Sequence, residues 1–421
     1  MSTSLLDQLA AEESLQSAWA LLRKENEDSY GLSGVTIKDF GENLDSNLNQ
    51  ISKELRSRTF RFSHTRAAVI KKDNGKYRPL QIPEIRDRVV LKAMAILLEE
   101  QLGGILSKSE GVSFAYQRGK GVRDALLKMK SSYLQGGKVI LKADIINFFE
   151  EVQKDKLLTS LIYPNLTDES INKLIDESMS QKLGGLKRLN KHRKLFKNAG
   201  KGIPQGNPLS PLLSNIYLSD FDLQLKEAGY AIVRYADDFI VIFKSDEDAK
   251  NGYEEITALL KSKYSLMIHP LGDTEGKTVI INPAENDFSF LSVKFDGDNI
   301  YPSIATVGYL KHQIKRIIKN GKLDAKLFAE IYEVIEKWIA IYSYLDIERY
   351  FDQIDEYLVS QLTKAFGVRK YKISKCNDLA QQKRAKQHDK STTSFWRNPA
   401  LINILPKFMR YKVKPIPEIN I

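Results

Sequence analysis

The sequence predicts an α+β chain in which a sheet domain precedes a helical domain and a basic tail. Three observations carry that reading. Helical and strand patterns alternate through the first 300 or so residues, and apolar residues then recur at helical spacing from Thr306 almost to Phe366. From Gln361 to Ile421, 14 Lys and Arg face 3 Asp and Glu.

The elements come in order. Leu5–Lys24 reads as a helix, and so does Thr36–Arg58, where Ile37, Phe40, Leu44, Leu48, Ile51 and Leu55 are spaced by three and four. FRFSHTRAAVIKKDNGKYRPLQI reads as a β-hairpin turning at Asp73-Asn74-Gly75. Helices are expected over Asp87–Leu102 and Gly121–Tyr133, the second entered through Gly119-Lys120-Gly121. Val139–Leu141 opens a strand, and Pro208–Leu218 marks the start of a buried helix. A hairpin around Tyr235, a helix near Ala249–Tyr264 and a strand at Phe288–Phe295 complete the sheet domain. No repeat of 20–50 residues is visible.

The 421 residues and 48.0 kDa exceed one small core, so two or three subdomains are expected. With 42% hydrophobic and 28% charged residues the composition is that of a globular protein. No apolar run reaches the roughly 18–20 residues of a membrane span, and MSTSLLDQLAAEES does not read as a secretory leader. Cys376 is the one cysteine, which excludes an internal disulfide or a Cys-rich zinc site and fits a reducing cytoplasm. The net charge of +11 resides in the tail, since the first 360 residues hold 50 basic and 50 acidic side chains. Basic clusters of this kind bind polyanions by releasing condensed counterions; a solvated basic end is the other reading.

IVRYADDFIVIF, Ile232–Phe243, places Asp237 and Asp238 between two β-branched and aromatic flanks. A tight turn is enough to explain two Asp there, because Asp bonds nearby backbone N–H groups. A third acid, Asp144, comes just after the apolar strand Val139–Leu141. Acids on adjacent strands can converge on a pair of Mg²⁺ ions, for which hard oxygen ligands are suited.

The surrounding segments decide between these readings. KYRPLQIPEIRDR (76–88), KADIINFF (142–149), GIPQGNPLSPLLSNIYL (202–218) and RYADDF (234–239) occur in the order seen in reverse transcriptases. SFAYQRGKGVRDAL (113–126) resembles the block of group II intron-type and related bacterial members. The resemblance runs from about Gly31 to Phe295, and a thumb would extend from there to about Phe366. It implies a right-hand polymerase: a helical N-terminal extension over 1–60 and fingers and palm over 61–305, the palm's antiparallel sheet carrying the acidic hairpin. A helical thumb over 306–366 and a basic C-terminal region over 367–421 complete it.

The resemblance also assigns roles. Asp144, Asp237 and Asp238, with Ile145, would form the catalytic metal site for two Mg²⁺, Mn²⁺ being a possible substitute. Lys71 and Arg78 stand where the family's fingers hairpin grips the dNTP triphosphate. Phe149, five residues after Asp144, stands where an aromatic ring excludes a 2′-OH. Gln205 and Gly206 resemble the residues packing on the incoming nucleotide, glycine permitting close backbone approach. Lys277 in GKTVI resembles the lysine that protonates the leaving pyrophosphate, although HPLGDTEG departs from the usual spacing before it. FSFLSVKF resembles the primer grip, Phe290-Leu291-Ser292, with Ser292 where the family normally has glycine.

The role within the family is read from the residues beyond the thumb. No Cys-paired or His-rich endonuclease segment, RNase H-like domain or retron signature is visible, so the chain resembles stand-alone bacterial reverse transcriptases of antiphage defence. Such enzymes commonly copy a noncoding RNA encoded nearby into cDNA. An intron- or retron-type enzyme and a maturase-like RNA scaffold are the alternatives. Trp338, Tyr342, Tyr344 and Tyr350 are read first as core and second as a nucleic-acid groove. Lys383, Arg384, Lys386, Trp396 and Arg397 are the expected RNA contacts of the tail. No membrane partner is expected, and oligomerisation stays open.

Overall fold

A computed structural model describes residues 3–23, 25–72 and 75–367. Asp73 and Asn74 of the expected fingers turn, and the expected RNA contacts Lys383, Arg384, Lys386, Trp396 and Arg397, lie outside the described residues. The chain divides into two compact units, one ending at Ile280 and one starting at Ile281. That boundary falls earlier than the palm limit expected at 305.

In the first unit the N-terminal helices are integral. Leu5–Leu9 is capped by Ser4, and Ile37–Glu42 by a Thr36–Asp39 capping box that satisfies orphan N–H groups at both ends of the motif. The two long helices expected here are each broken, at Ala10-Ala11 and at Asn43, giving Leu5–Leu9, Glu12–Leu22, Ile37–Glu42 and Leu44–Arg56. Leu48, Ile51 and Leu55 still bury one stripe. They share a core with helix Ile85–Gln101, whose Val89, Val90, Ala93, Met94 and Leu98 are all fully buried.

Two sheets position the site. In the first, β1 (Thr65–Lys71) pairs antiparallel with β2 (Tyr77–Ile82) from Arg66↔Ile82 to Lys71↔Tyr77. The end of a short parallel neighbour, β4 (Leu183–Gly184), joins β1. The second sheet has the order β5–β6–β3–β7, with β3 (Val139–Asp144), β5 (Ala231–Tyr235), β6 (Asp238–Phe243) and β7 (Val279–Ile281). Central strands β3 and β6 are near-continuous apolar runs because helices Ser210–Glu227 and Asp246–Leu259 pack against the sheet. The ring of Phe221 meets that of Phe239 edge-on at 5.8 Å. Helix Ser210–Glu227 runs well past the expected Leu218.

The second unit opens with a meander of β8 (Phe288–Phe290), β9 (Val293–Phe295) and β10 (Ile300–Pro302). The single strand expected over Phe288–Phe295 is therefore a hairpin, with Leu291 and Ser292 forming its two-residue turn. Helices Ile304–Asn320, Ala325–Tyr342 and Phe351–Phe366 come next. The Tyr350 hydroxyl donates to the Pro302 carbonyl at 2.8 Å, tying helix to meander. Trp338 is buried with its ring 5.4 Å from that of Tyr342, as core packing predicts. Among the described residues no helix is long and apolar enough to cross a membrane.

Candidate active site

The acids meet because of strand register. β3 and β6 pair Val139↔Phe243 through Asp144↔Asp238, which sets the last residue of one strand opposite the first of the other. β5 and β6 pair Tyr235↔Asp238, so the loop between them is only Ala236-Asp237. Ala236 has φ 61°, the left-handed first position that a two-residue hairpin turn demands. Asp237 is thus at the tip and Asp238 in the ladder, a finer division than the three-residue Ala-Asp-Asp turn of the sequence.

The cluster is electrostatically costly as it stands. Burial and then the Asp144 charge push the Asp237 carboxyl up, with Arg78 and Lys277 opposing. Burial, reinforced by the charges of Asp144 and Asp237, raises Asp238 to about 6. Lys277 answers part of this repulsion: its Nζ donates to Asp144 Oδ2 at 2.5 Å and lies 3.1 Å from His269 Nε2. Burial alone would lower the lysine, but the hydrogen bond and charge of Asp144, with Glu275 and Asp238, outweigh it and raise its pKa. The unusual HPLGDTEG segment still delivers Lys277 here, because the Lys277 N–H donates to Asp273 Oδ1 at 2.7 Å and the His269 N–H to the Asp144 carbonyl at 3.2 Å.

Among the described residues no three His, Cys, Asp or Glu side chains are grouped so that together they could hold a metal ion. The donor set nevertheless fits Mg²⁺, which is held by one or two carboxylates and completed by waters and substrate phosphates rather than by a protein cage. Ile145 could contribute only its backbone carbonyl. Its N–H donates to the Asp237 carbonyl at 3.3 Å, and the ladder bonds of Asp144 with His269 and of Ile146 with Met267 flank it without using that carbonyl.

The remaining predicted residues are spread over both units. Phe148 is core, whereas Phe149 is half-buried, its ring 5.7 Å from that of Phe148. The Phe149 carbonyl accepts from the Ile203 N–H at 2.8 Å, anchoring the Pro204-Gln205-Gly206 loop. The Gln205 carbonyl in turn accepts from the Gln81 N–H at 2.7 Å, joining this loop to the outer edge of β2. Gly206 has φ 100°, and a Cβ there would lie 2.9 Å from the Gln81 carbonyl oxygen. Arg78 and Lys71 differ in facing. Arg78 opposes Ile70 and Lys71 opposes Tyr77, so alternation puts them on opposite faces of the hairpin. The Arg78 charge reaches Asp237. Phe290, Leu291 and Ser292 form the β8–β9 turn of the second unit, where both Leu291 (φ 50°) and Ser292 (φ 64°) are left-handed.

Residue patterning alone did not reveal the support beneath the acids. Arg234 is fully buried; its Nε and Nη2 donate to Asp222 Oδ1 and Oδ2 at 2.7 and 2.5 Å. Its Nη1 donates to the Asn215 Oδ1 at 3.2 Å and to the Ala236 carbonyl, inside the β5–β6 turn, at 3.0 Å. Asn215 Nδ2 donates to the Ala115 carbonyl at 2.8 Å, and Phe114 N–H to the Arg234 carbonyl at 3.0 Å. One polar network therefore ties helix Ser210–Glu227, the SFAYQRG block and the hairpin together. Tyr116 in that block, at φ 60°, leaves about half of its surface exposed at 51%, and desolvation of the rest together with the Asp237 charge pushes its phenol up. Its place within the motif was the available signal.

Residues 70–294, more than half of the chain, match the family model described as reverse transcriptase (RNA-dependent DNA polymerase). The chain belongs to the reverse transcriptase family. It is 26% identical to Protein YkfC of Escherichia coli over 277 residues, 57% of this chain and 70% of that protein. It is 32% identical to a group II intron-encoded protein of Lactococcus lactis subsp. cremoris over 164 residues, 38% of this chain and 25% of the relative. The match thus spans a quarter of that intron-encoded relative's length. A telomerase structure from Candida albicans overlaps 85% of this chain and 69% of its own at 12% identity, with a TM-score of 0.44. Membership makes the chain an RNA-directed DNA polymerase of right-hand, α+β architecture. Within the matched residues, the register of β3 and β6 brings Asp144 opposite Asp238.

Proposed function

We propose that this reverse transcriptase copies one dedicated noncoding RNA into cDNA from dNTPs, in the bacterial cytoplasm, as part of antiphage defence. The observation that carries the chemistry is the Asp144↔Asp238 register with Asp237 at the adjoining turn. Asp144 and Asp237 would hold two Mg²⁺, or Mn²⁺ in their place, with Asp238 and the Ile145 carbonyl beside them. Ions bound there would supply Lewis-acid chemistry, lowering the pKa of the primer 3′-hydroxyl and offsetting charge on the departing pyrophosphate. The 3′-hydroxyl gives up its proton to solvent water, and its oxygen bonds to the α-phosphorus as the bond from that phosphorus to the bridging oxygen of the β-phosphate breaks. Lys277, kept protonated by its carboxylate neighbours, supplies a proton to the leaving oxygen. Arg78 faces the acids and neutralises triphosphate charge. Phe149, half-exposed on a backbone held through Ile203, bars a 2′-OH. Lys71 takes part at the rim, Gln205 and Gly206 support the nucleotide, and Phe290, Leu291 and Ser292 hold the primer. The four regions 1–60, 61–305, 306–366 and 367–421 would serve as extension, fingers and palm, thumb and RNA-binding region.

The dedicated RNA is supported by the basic excess after Gln361, in which Lys383, Arg384, Lys386, Trp396 and Arg397 are the proposed contacts. The intron-encoded relative, 32% identical over 164 residues, favours the second reading of an intron- or retron-type enzyme. An intron or retron RNA gene flanking the frame would establish that one. The test is to purify the protein from its native locus and sequence the nucleic acid that accompanies it, beside an Asp237→Ala/Asp238→Ala variant. One abundant RNA with complementary DNA that vanishes in the variant is expected. Mixed RNA with no variant-dependent DNA would overturn dedicated copying, and a variant that protects cells fully would make the chain a maturase-like scaffold.

A further inference from the structure

Between Gln181 and Lys201 the chain carries eight Lys and Arg and no Asp or Glu. The charge balance of the first 360 residues conceals this run. The segment forms β4 and then the short turns of Leu186–Phe196, interrupted at Asn190 where φ is 46° and ψ −121°. Lys187, Arg188, Lys191, Arg193, Lys194 and Lys197 are all exposed, and no ion pair to any of them occurs among the described residues. Like charges this dense repel one another unless a polyanion is present.

The segment is held in place by other groups. The His192 ring lies 4.2 Å from that of Tyr77, and Phe196 is buried. Asn198 Nδ2 donates to Glu150 Oε2 at 3.1 Å, and Lys201 pairs with Glu151 at 2.7 Å. Gly202 then packs so closely that a Cβ would lie 2.0 Å from the Phe149 carbonyl oxygen. A fixed scaffold thus presents six unpaired cations. Their position is set by register: Tyr77 pairs with Lys71, so His192 stacks on the hairpin face opposite the one bearing Arg78. The loop therefore packs against the hairpin face that carries Tyr77 and Lys71, opposite the one bearing Arg78.

We propose that this loop is a second RNA site, a sequence-independent clamp for the phosphate backbone of a strand lying outside the catalytic cleft. Point charges on flexible stems, with one half-buried ring and no array of exposed aromatics, suit phosphates rather than base edges. The choice of RNA rests on the reverse transcriptase reading; the existence of the phosphate site does not.

The test is a full-length Lys187→Gln/Arg188→Gln/Lys191→Gln/Arg193→Gln/Lys194→Gln/Lys197→Gln variant, with thermal melting to confirm folding. Binding of an unstructured single-stranded RNA is measured across a salt series. Single-nucleotide extension is measured on a primer whose template has one unpaired base. Loss of six phosphate contacts should reduce the slope of log affinity against log salt by up to about 4 and weaken binding at least about tenfold near 0.1 M salt. Minimal extension should stay within about twofold. An unchanged slope overturns the proposal, as does lost extension with retained RNA binding, which would make the loop part of the nucleotide site. Binding to anionic phospholipid vesicles that falls while RNA binding holds would reassign it to a membrane surface. If even the wild type fails to extend the primer, the polymerase reading fails while the salt slope still decides this one. A triple variant, Lys187→Gln/Lys191→Gln/Lys194→Gln, should show about half the change in slope.

Discussion

Two fully buried aspartates lie under the two hairpins of the first unit, and they are treated differently. Asp222, beneath the catalytic β5–β6 turn, receives both prongs of the Arg234 guanidinium. Asp87, beneath the base of the fingers, accepts from the Ser63 N–H at 2.8 Å and from Gln181 Nε2 at 3.3 Å. Its Oδ1 has no hydrogen-bond partner, and Arg86 Nε stays 3.9 Å away. Burial therefore raises Asp87 to about 7, against the weaker pull of Ser63 and Arg86. A charge that must fix a turn is given a rigid bidentate partner; one that only closes a packing site can keep its proton.

The largest expected effect breaks the first of these arrangements. Removing one partner of a buried pair typically costs about 3–5 kcal/mol, because the other charge is left in low dielectric. Arg234→Met should lower stability by that order, seen as a reduced midpoint in urea. Where it still folds, turnover should fall more than dNTP affinity, since the freed Ala236 carbonyl misplaces Asp237. Arg234→Met/Asp222→Leu should recover stability without recovering turnover. Full activity in the double variant would show that the pair stabilises the fold and does not position the turn.

The second effect tests Asp87 through pH. Its ordinary value of 3.8 is raised to about 7 in the fold, so the native state binds the proton more tightly than the unfolded chain. The Asp87 contribution to stability is then greatest below about 4 and is lost as pH rises toward 7, by roughly 1.4 kcal/mol per unit at most. Asp87→Asn should flatten that part of the stability profile and leave Arg234-dependent behaviour untouched. An Asp87→Asn profile parallel to the wild type between pH 4 and 7 would mean that the carboxylate stays ionised in the fold.

The same physics separates the legible residues from the hidden ones. The Tyr-Ala-Asp-Asp hairpin, Asp144 and the Pro-Gln-Gly loop could be read because they fall in motifs within the matched family region, at spacings that backbone geometry fixes. Arg234 could not, since an arginine between Val233 and Tyr235 reads as a solvent charge until the helix bearing Asp222 is in place. The opposite facing of Lys71 and Arg78 needed the strand register, which depends on pairing rather than on residue type. Leu291 and Ser292 concealed a turn because neither is the glycine or asparagine that announces one. The basic loop around Lys191 was hidden by summing charge over too long a stretch.

The smallest expected effect compares that concealed turn with the catalytic one. Ser292 at φ 64° and Ala236 at φ 61° both hold a left-handed backbone that side chains disfavour. Such a conformation costs a non-glycine residue roughly 1 kcal/mol, which glycine relieves in part at the expense of a floppier unfolded chain. Ser292→Gly should therefore stabilise by up to about 1 kcal/mol, read as a rise in Tm of a few degrees at most for a chain of this size. Ala236→Gly should gain no more than that, and should lose activity, because the strain there is enforced by Arg234 and keeps Asp237 at the tip. If Ala236→Gly left turnover unchanged, the network alone would be sufficient to hold the acid. If Ser292→Gly destabilised the second unit, the serine side chain rather than the turn backbone would be what the β8–β9 hairpin requires.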